Sequence, residues 1–347
     1  MTKRTRVFLF VSTGILVVGL GTGLLAAYMG GFQNLVLIGS DGPEELAYVP
    51  ADAQMVAYAD VHAIANSAVR KKVREMSADR PNPENQLQAR TGIDVERDVD
   101  HVVASSLTPA GADKGNVPLV LARGRFDAVR IEGAMREQGG EAADYRGTRV
   151  VAQPSNERAA VAFIEPGLVA FGPIDSVHRV IDTKLSRGGS IKGNADVMRL
   201  VREVKNGNVW AVARFDALAS RAPLPPDLAG RLPAITWFSA SGNVDDGIRG
   251  TLRADARDDQ AAQNLREVIR GFMALARMQA GNKPEFGALI NSLELGGQGK
   301  TVTLAFAVPP EMLDVVATMR KQRLNGQPAQ PDVPGRAHVP QRPRPGA

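Results

Sequence analysis

The chain has 347 residues, no cysteine and a formal net charge of +5. At 44% hydrophobic residues it can hold two modest domains with an apolar core. Because there is no cysteine, disulfides, thiol catalysis and cysteine-ligated zinc are excluded. The positive charge lies at the two ends of the chain. Residues 1–6 carry three basic residues, and residues 321–347 carry five basic residues and one acid. The residues between them hold 34 basic and 36 acidic side chains, so the body is close to neutral. We therefore expect no nucleic-acid partner, which would need a basic body.

The first predicted element is an uncharged run at residues 7–29. As a helix it spans about 34 Å, enough for a hydrocarbon core of about 30 Å, and it is longer than the apolar stretch of a cleaved signal peptide. The run therefore predicts a retained transmembrane signal anchor. Residues 1–6 are basic, whereas Asp41 and Glu44 are the first charges after the run. The positive-inside rule then places residues 1–6 in the cytoplasm and the body on the periplasmic or extracellular side of the inner (cytoplasmic) membrane.

Small residues line one side of the predicted anchor. Gly19, Gly23 and Ala27 recur at every fourth position, so they share one smooth face of a helix. Such a face favours close packing of two membrane helices and predicts a homodimer. The alternative is that glycine is common in membrane helices without any packing role.

Beyond the anchor the chain divides into a linker at residues 30–47, a first half at 48–187, a second half at 188–322 and a tail at 323–347. The tail contains six prolines and no apolar periodicity. This composition predicts a disordered, basic, proline-rich end.

Apolar periodicity predicts the elements of each half in chain order. In the first half the predicted strands are 54–61, 100–107, 117–126, 148–153, 159–164 and 167–172, and the predicted helices are 62–77, 127–138 and 173–185. In the second half the predicted strands are 208–215, 234–243, 247–256, 292–297 and 301–308, and the predicted helices are 195–204, a proline-interrupted stretch to 232, 258–280, 284–291 and 309–322.

The two halves share the order strand, helix, strand, strand, helix, strand, which indicates an internal duplication. The same tetrapeptide, Arg-Phe-Asp-Ala, occurs at 125–128 and at 214–217, and each Asp is placed to cap a following helix. The order predicts an α+β fold: two related halves of antiparallel sheet with helices packed on one face, in a ferredoxin-like, split βαβ order.

The sharpest polar feature is the alternation of Asp94, Glu96, Asp98 and Asp100 with other residues. If this segment is extended, its acids point to one face, so Asp94, Asp98 and Asp100 are weak candidates for a metal site. A calcium loop would need glycine where Val99 stands, and a charged strand edge explains the run as well. We therefore expect neither a metal nor a cofactor.

No nucleophile motif occurs in the chain, since the Gly-x-Ser-x-Gly elbow and the phosphate-binding loop are both missing. No catalytic residue is predicted. A hydrolase without a recognisable signature stays an alternative, and it requires Asp94, Asp98, His101 and Ser106 to converge in one cleft.

Two short segments carry a resemblance to known sequences. The body opens with Tyr-Val-Pro-Ala-Asp-Ala at residues 48–53, and Thr-Gly-Ile-Asp follows at 91–94, with Asp98 beyond it. This layout resembles uncharacterised bacterial single-pass envelope proteins that carry a signal anchor before the same two segments. The resemblance implies a location in the bacterial envelope and supplies no catalytic residue.

Three functions are consistent with the sequence. The first is a non-catalytic, membrane-anchored extracytoplasmic interaction or scaffold protein that binds other envelope proteins. The second is a carrier of an apolar ligand or lipid, which would need a continuous apolar cavity. The third is the hydrolase without a signature.

Overall fold

A computed structural model describes residues 42–76, 88–89, 91–107, 118–137, 139–153, 159–221, 234–280, 284–310 and 312. The predicted anchor, its packing residues Gly19, Gly23 and Ala27, and the proline-rich tail lie outside these residues. Across the described ranges, no helix combines the length and apolarity that a membrane span requires.

The first half contains seven strands and five helices in the described residues. The strands are β1 Met55–Asp60, β2 Val99–Ser106, β3 Leu119–Gly124, β4 Glu141–Tyr145, β5 Thr148–Ala152, β6 Ala159–Glu165 and β7 Leu168–Pro173. The helices are α1 Val61–Asn66, α2 Ala68–Met76, α3 Val95–Asp98, α4 Ala128–Glu137 and α5 Ile174–Lys184. A 3-10 turn at Glu44–Ala47 precedes them.

The second half adds five strands and four helices in the part of the chain that is described. The strands are β8 Val209–Arg214, β9 Ile235–Val244, β10 Ile248–Ala256, β11 Glu294–Gly296 and β12 Thr301–Val308. The helices are α6 Ala195–Val204, α7 Phe215–Arg221, α8 Asp259–Ala280 and α9 Pro284–Asn291.

All twelve strands join one antiparallel sheet in the order β11-β12-β10-β9-β8-β1-β2-β3-β7-β6-β5-β4. The two halves meet where β1 pairs with β8. From that junction outward the first half runs β1-β2-β3-β7-β6 and the second runs β8-β9-β10-β12-β11, so both follow the same path. The hairpin of β4 and β5 extends the first half alone. The shared path is the relation expected of duplicated halves.

The β1–β8 ladder has a local two-fold relation. Ala57 pairs with Ala211, and each of these residues stands three positions before the end of its strand. Tyr58 pairs with Trp210, and the two rings stack with centroids 5.5 Å apart. The centre of the molecule is therefore a strand pair in which each half presents the same edge to the other.

The predicted ferredoxin-like, split βαβ order is not the order observed. In that arrangement two helix-connected strands are parallel and flank a third strand. Here β1 and β2, which α1 to α3 connect, are direct antiparallel neighbours, and so are β8 and β9. Strand β2 begins at the end of the sheet where β1 leaves it, since Asp60 pairs with His101. Helix α1 has six residues, ends at Asn66 and spans only about 9 Å, so it does not itself carry the chain back along β1.

Helices cover both faces of the sheet, which corrects the expectation of one covered face. We call the face with Val56 and Tyr58 the front face and the face with Ala57 and Ala59 the back face. Helices α5 and α6 pack on the front face in one cluster with Val56, Tyr58 and Trp210. Helices α2, α4, α8 and α9 pack on the back face. The four consecutive residues Val56–Ala59 are all buried, so the central strands need cover on both sides.

The two copies of the tetrapeptide do not occupy equivalent places. The first follows β3, where Asp127 caps α4 by accepting a bond from the amide of Arg130. The second follows β8, the counterpart of β1, and Asp216 lies inside the first turn of α7 rather than at its cap. The structural counterpart of Asp127 is Asp258, which follows β10 and accepts from the amide of Ala261. The predicted cap is therefore right at Asp127 and wrong at Asp216.

We predict that Gly250→Ala destabilises the protein. A Cβ at this position would stand 2.7 Å from the ring of Phe306, which lies against β10. Overpacking of this kind costs about 1–3 kcal/mol, measurable by thermal unfolding of the full chain in detergent, followed by circular dichroism. The control is Gly271→Ala in α8, where a Cβ would meet open space and should stabilise the helix by up to about 1 kcal/mol. Equal unfolding temperatures for the two variants would contradict this account.

Candidate functional site

The back face carries an apolar groove, the central groove, where the two halves meet. Its floor consists of small side chains on neighbouring strands: Ala57 pairs with Ala211, Ala211 pairs with Ala240, and Val209 pairs with Gly242. These residues share one face because alternate residues of a strand point the same way. The floor is low because larger side chains are missing from its middle. Along β8 it runs four residues from Val209, or about 13 Å.

Larger apolar side chains form the walls of the central groove. The lining that rises beside the floor comprises Met55, Leu218, Phe238, Val244, Ile248, Leu252 and Phe306. Leu218 belongs to α7, and the others belong to strands of the sheet. Beyond the floor and walls, Ser241 and Arg249 also border the space. The groove is therefore almost entirely apolar, and it holds about 70 Å³ of free space.

A second feature, the buried latch, fixes residues 45–48 to the sheet, so the last residues of the predicted linker, 30–47, belong to the folded body. Glu45 is only 2% exposed, and its carboxylate accepts from Arg123 Nε at 2.7 Å and from His101 Nε2 at 2.9 Å. Arg123 Nη2 also donates to Glu165 at 2.7 Å, and the hydroxyl of Tyr48 donates to the other oxygen of Glu165 at 2.7 Å. The latch thus joins residues 45 and 48 to strands β2, β3 and β6.

The latch stabilises the ionised form of its acids. Burial raises the pKa of Glu45, but hydrogen bonds and charge from His101 and Arg123 outweigh it and hold the pKa at about 2. Because an ionised carboxylate only accepts, His101 donates through Nε2. Burial and then the bond to Glu165 raise the pKa of Tyr48 to about 12. Burial likewise opposes ionisation of Glu165, whose pKa is lowered by Tyr48 and Arg123.

Backbone contacts complete the attachment of residues 44–53. The amide of Ile191 donates to the carbonyl of Val49 at 2.8 Å, and Ser190 Oγ donates to the carbonyl of Leu46 at 3.0 Å. Leu46 and Val49 are fully buried in the front-face core. Gly42 has φ +84, and a Cβ there would stand 3.0 Å from Val201 Cγ1. Residues 42–53 are therefore packed against the rest of the body, next to α6.

The acidic run forms a helical turn rather than an extended edge. Asp94 caps α3 by accepting from the amide of Glu96, and Asp98 accepts from the amide of Asp94 and pairs with Arg97. Asp100 follows in β2. Within the described ranges no group of three or more acidic or histidine side chains is arranged to hold a metal ion. The carboxylates of Asp94 and Asp98 are used in backbone capping, which explains their spacing.

The side chains required for a hydrolase do not converge. His101 projects to the front face, where it meets Glu45. Ser106 is five residues further along β2 and projects to the back face, about 17 Å along the strand. Asp94 caps α3 and Asp98 is its last residue, and the adjacent Ile93 and Val95 pack with the back-face residues Ala59 and Val102.

Comparison with known proteins gives no family. No protein-family model and no curated protein matches the sequence. A solved structure described as crystal form I of TP0453 matches with a TM-score of 0.44 and 8% sequence identity, covering 79% of this chain and 96% of that one. A likeness at this level carries no argument about function.

Sequence reasoning did not find the central groove or the latch. The latch residues are separated by 42 to 117 positions, and no local pattern links them. The sequence did offer one local indication: Glu45 is an acid that lies beside the large side chains of Leu46 and Tyr48, in the segment that opens the body. For the groove, the signal was alanine at 57, 211 and 240 inside strands otherwise rich in larger residues.

We predict that Glu45→Gln weakens the protein mainly above pH 5. The folded-state pKa of about 2 lies below the ordinary 4.5, so the ionised carboxylate contributes stability above pH 4.5 that is lost as the pH falls towards 2. The contribution is about 3 kcal/mol of unfolding free energy. Chemical unfolding of the full chain in detergent between pH 2 and 7 should show this loss for the natural chain and a flatter profile for the variant.

The matched control for this prediction is Glu44→Gln, because Glu44 is the exposed neighbour of Glu45. Its pH profile should follow that of the natural chain. A Glu45→Gln variant with an unchanged profile would show that the latch does not stabilise the fold.

Proposed function

We propose that this chain is a non-catalytic, membrane-anchored interaction protein of the bacterial envelope, and that it docks an amphipathic helix of a partner protein in the central groove. The single observation that supports this role is the groove: an apolar surface with a floor of alanine and glycine at the junction of the two halves. Helix-in-groove recognition uses such a surface, because an apolar helix face replaces water along it.

The dimensions favour a helix over an enclosed small molecule. A dry cavity of about 150 Å³ accommodates benzene, whereas the free space here is about 70 Å³. A lipid chain would therefore need a much larger cavity than the described residues leave, which argues against the carrier alternative. A floor about 13 Å long matches two to three turns of helix, and small floor residues let a helix backbone approach closely.

Placement of the polar side chains favours binding over catalysis. The acids of the helical turn, His101 and Ser106 lie on different faces or are engaged in capping and in the latch. The hydrolase alternative depended on their convergence in one cleft. It therefore loses the arrangement that motivated it.

The anchor sets where the binding would occur. In this proposal residues 7–29 cross the inner membrane with the N-terminus in the cytoplasm, and the body lies on the periplasmic or extracellular side. The latch supports this role, because it packs the last residues of the predicted linker against the body and leaves a shorter linker to the anchor. The groove would then be presented close to the membrane surface, where an anchored partner can reach it.

We predict that a photo-reactive residue in the groove captures a partner protein in living cells. Benzoylphenylalanine at Leu252 would face the groove, whereas the same residue at Thr251 would project from the opposite face one position away. Both positions are half-buried in β10. Irradiation followed by purification and mass spectrometry should give a discrete protein adduct from position 252 alone.

The proposal fails if position 252 yields no protein adduct, or if both positions yield the same adducts. Adducts with lipid instead of protein would favour the carrier alternative. Expression and unfolding temperature of both variants should match the natural chain, so that a negative result reports on binding.

A further inference from the structure

We infer that the central groove is one half of a longer surface, the alanine trough, which runs from Leu252 through Ala211 and Ala57 to Phe171, and that the partner helix lies along it, across the strands. This inference rests on the proposed function, because it names the length and direction of the helix that the same groove binds. It is carried by the register of the strands, by the local two-fold relation and by the exposure of Phe171.

Strand pairing extends the floor of the groove into the first half. Ala57 pairs with Ala104 on β2, and Ala104 pairs with Val120 on β3. Val120 in turn pairs with Phe171 on β7. Directly paired residues point to the same face of a sheet, so these side chains lie on the back face in line with Ala211. Ala104 and Val120 are half-buried, and Phe171 is 38% exposed. The apolar surface therefore continues past the junction and ends in an exposed aromatic ring.

The local two-fold relation of the β1–β8 ladder makes the two ends of the trough equivalent. Each step outward from Ala57 or Ala211 to the next strand reaches a position that matches one in the other half. The matching positions are Ala104 and Ala240, Val120 and Leu252, and Phe171 and Leu304. Four alanines thus occupy the middle, and larger apolar side chains occupy both ends. Small residues in the middle let a helix backbone approach the sheet closely.

Two short helices beside the trough favour a direction across the strands. Helix α1 follows β1 and helix α7 follows β8, and because these strands are antiparallel, the two helices lie on opposite sides of the row of alanines. Ile64 of α1 packs in a back-face cluster, and Leu218 of α7 lines the groove. The floor length of about 13 Å along β8 is then the width of the trough. This width accommodates a helix of about 10–12 Å in diameter.

The length of the trough sets the length of the helix. Leu252 on β10 and Phe171 on β7 are six strand spacings apart in the sheet order. At about 4.8 Å for each spacing the distance is about 29 Å. A helix of about 19 residues spans this distance. Because the residues paired along the trough are all apolar, we expect a partner helix of this length with an uninterrupted apolar face.

Neighbouring helices favour a single helix over the sheet of a second copy as the occupant. Helix α4 packs over Val161 and Val169 at the first-half end, and helix α8 packs over Ala254 and Val302 at the second-half end. Sheets that pack face to face are about 10 Å apart, and these helices already occupy that layer. A second sheet would therefore collide with them, whereas one helix can lie between them in the same layer.

The test places benzoylphenylalanine at Phe171 of the full-length chain in living cells and compares it with the same residue at Leu252. Val129 is the control position, because its side chain is apolar and 83% exposed but belongs to α4 rather than to the trough. After irradiation, the cross-linked partner peptides are sequenced to locate each attachment residue. We expect positions 171 and 252 to label one segment of one partner at residues about 14–24 apart, because a helix rises 1.5 Å per residue. Position 129 should not label that segment.

The outcomes separate this inference from the proposed function. Adducts from position 252 alone, attachment residues outside the expected range, attachment to two different proteins, or labelling of the same segment from position 129 overturn the trough and retain the groove. Adducts at position 171 with the sequence of this chain overturn the partner helix as the occupant of the first half. The absence of any protein adduct from position 252 rejects the proposed function and this inference with it.

A substitution provides a second measurement. Phe171→Ala removes the ring at one end of the trough and should lower the adduct yield from position 252 about five-fold, because aromatic anchors carry much of the binding energy of an interface. Phe171→Leu keeps a large apolar side chain and should retain most of the yield, and Val129→Ala should leave it unchanged. Unfolding temperatures of the variants separate lost contact from lost folding. An unchanged yield for Phe171→Ala, or an equal loss for Val129→Ala, overturns the inference.

Discussion

The antiparallel pairing of β1 with β8 is the constraint on which the rest of the structure depends. It joins two halves of the same strand order into one sheet and places their shared junction at the centre rather than at an edge. Central strands are buried on both faces, so Val56–Ala59 must be apolar throughout, and helices must pack on both sides. The front face is filled by α5, α6 and large side chains such as Trp210. The back face has the small side chains of Ala57 and Ala211 at the middle of the same junction, and this difference creates the groove.

The latch explains why the body holds its first residues so firmly. The pKa of Glu45 shows that the fold favours its ionised form over its protonated form. Compared with an apolar core, however, a buried ion pair adds little net stability, because desolvation opposes the attraction between the charges. Its stronger effect is on specificity, since a misplaced Glu45 would leave a charge without partners in the core. Arg123 contacts both Glu45 and Glu165, so a single guanidinium aligns the turn at Glu44–Ala47 with strands β3 and β6.

Local patterns predicted the elements well and their arrangement poorly. Residues 195–204 and 301–308 have the predicted bounds, because both have a clear apolar periodicity and Asn194 caps the helix. Strand β4 was missed because four of its five residues are exposed and leave no alternation. The weak metal candidates depended on an extended acidic run, but the carboxylate of Asp94 caps a helical turn. Strand order and the latch depend on contacts between distant residues, which no local period encodes.

The alanines of the groove floor have a thermodynamic consequence for binding. Each buried methylene contributes about 0.8 kcal/mol, so larger floor residues would stabilise the isolated fold by filling the space. An unfilled floor therefore leaves stabilisation available to whatever helix docks there.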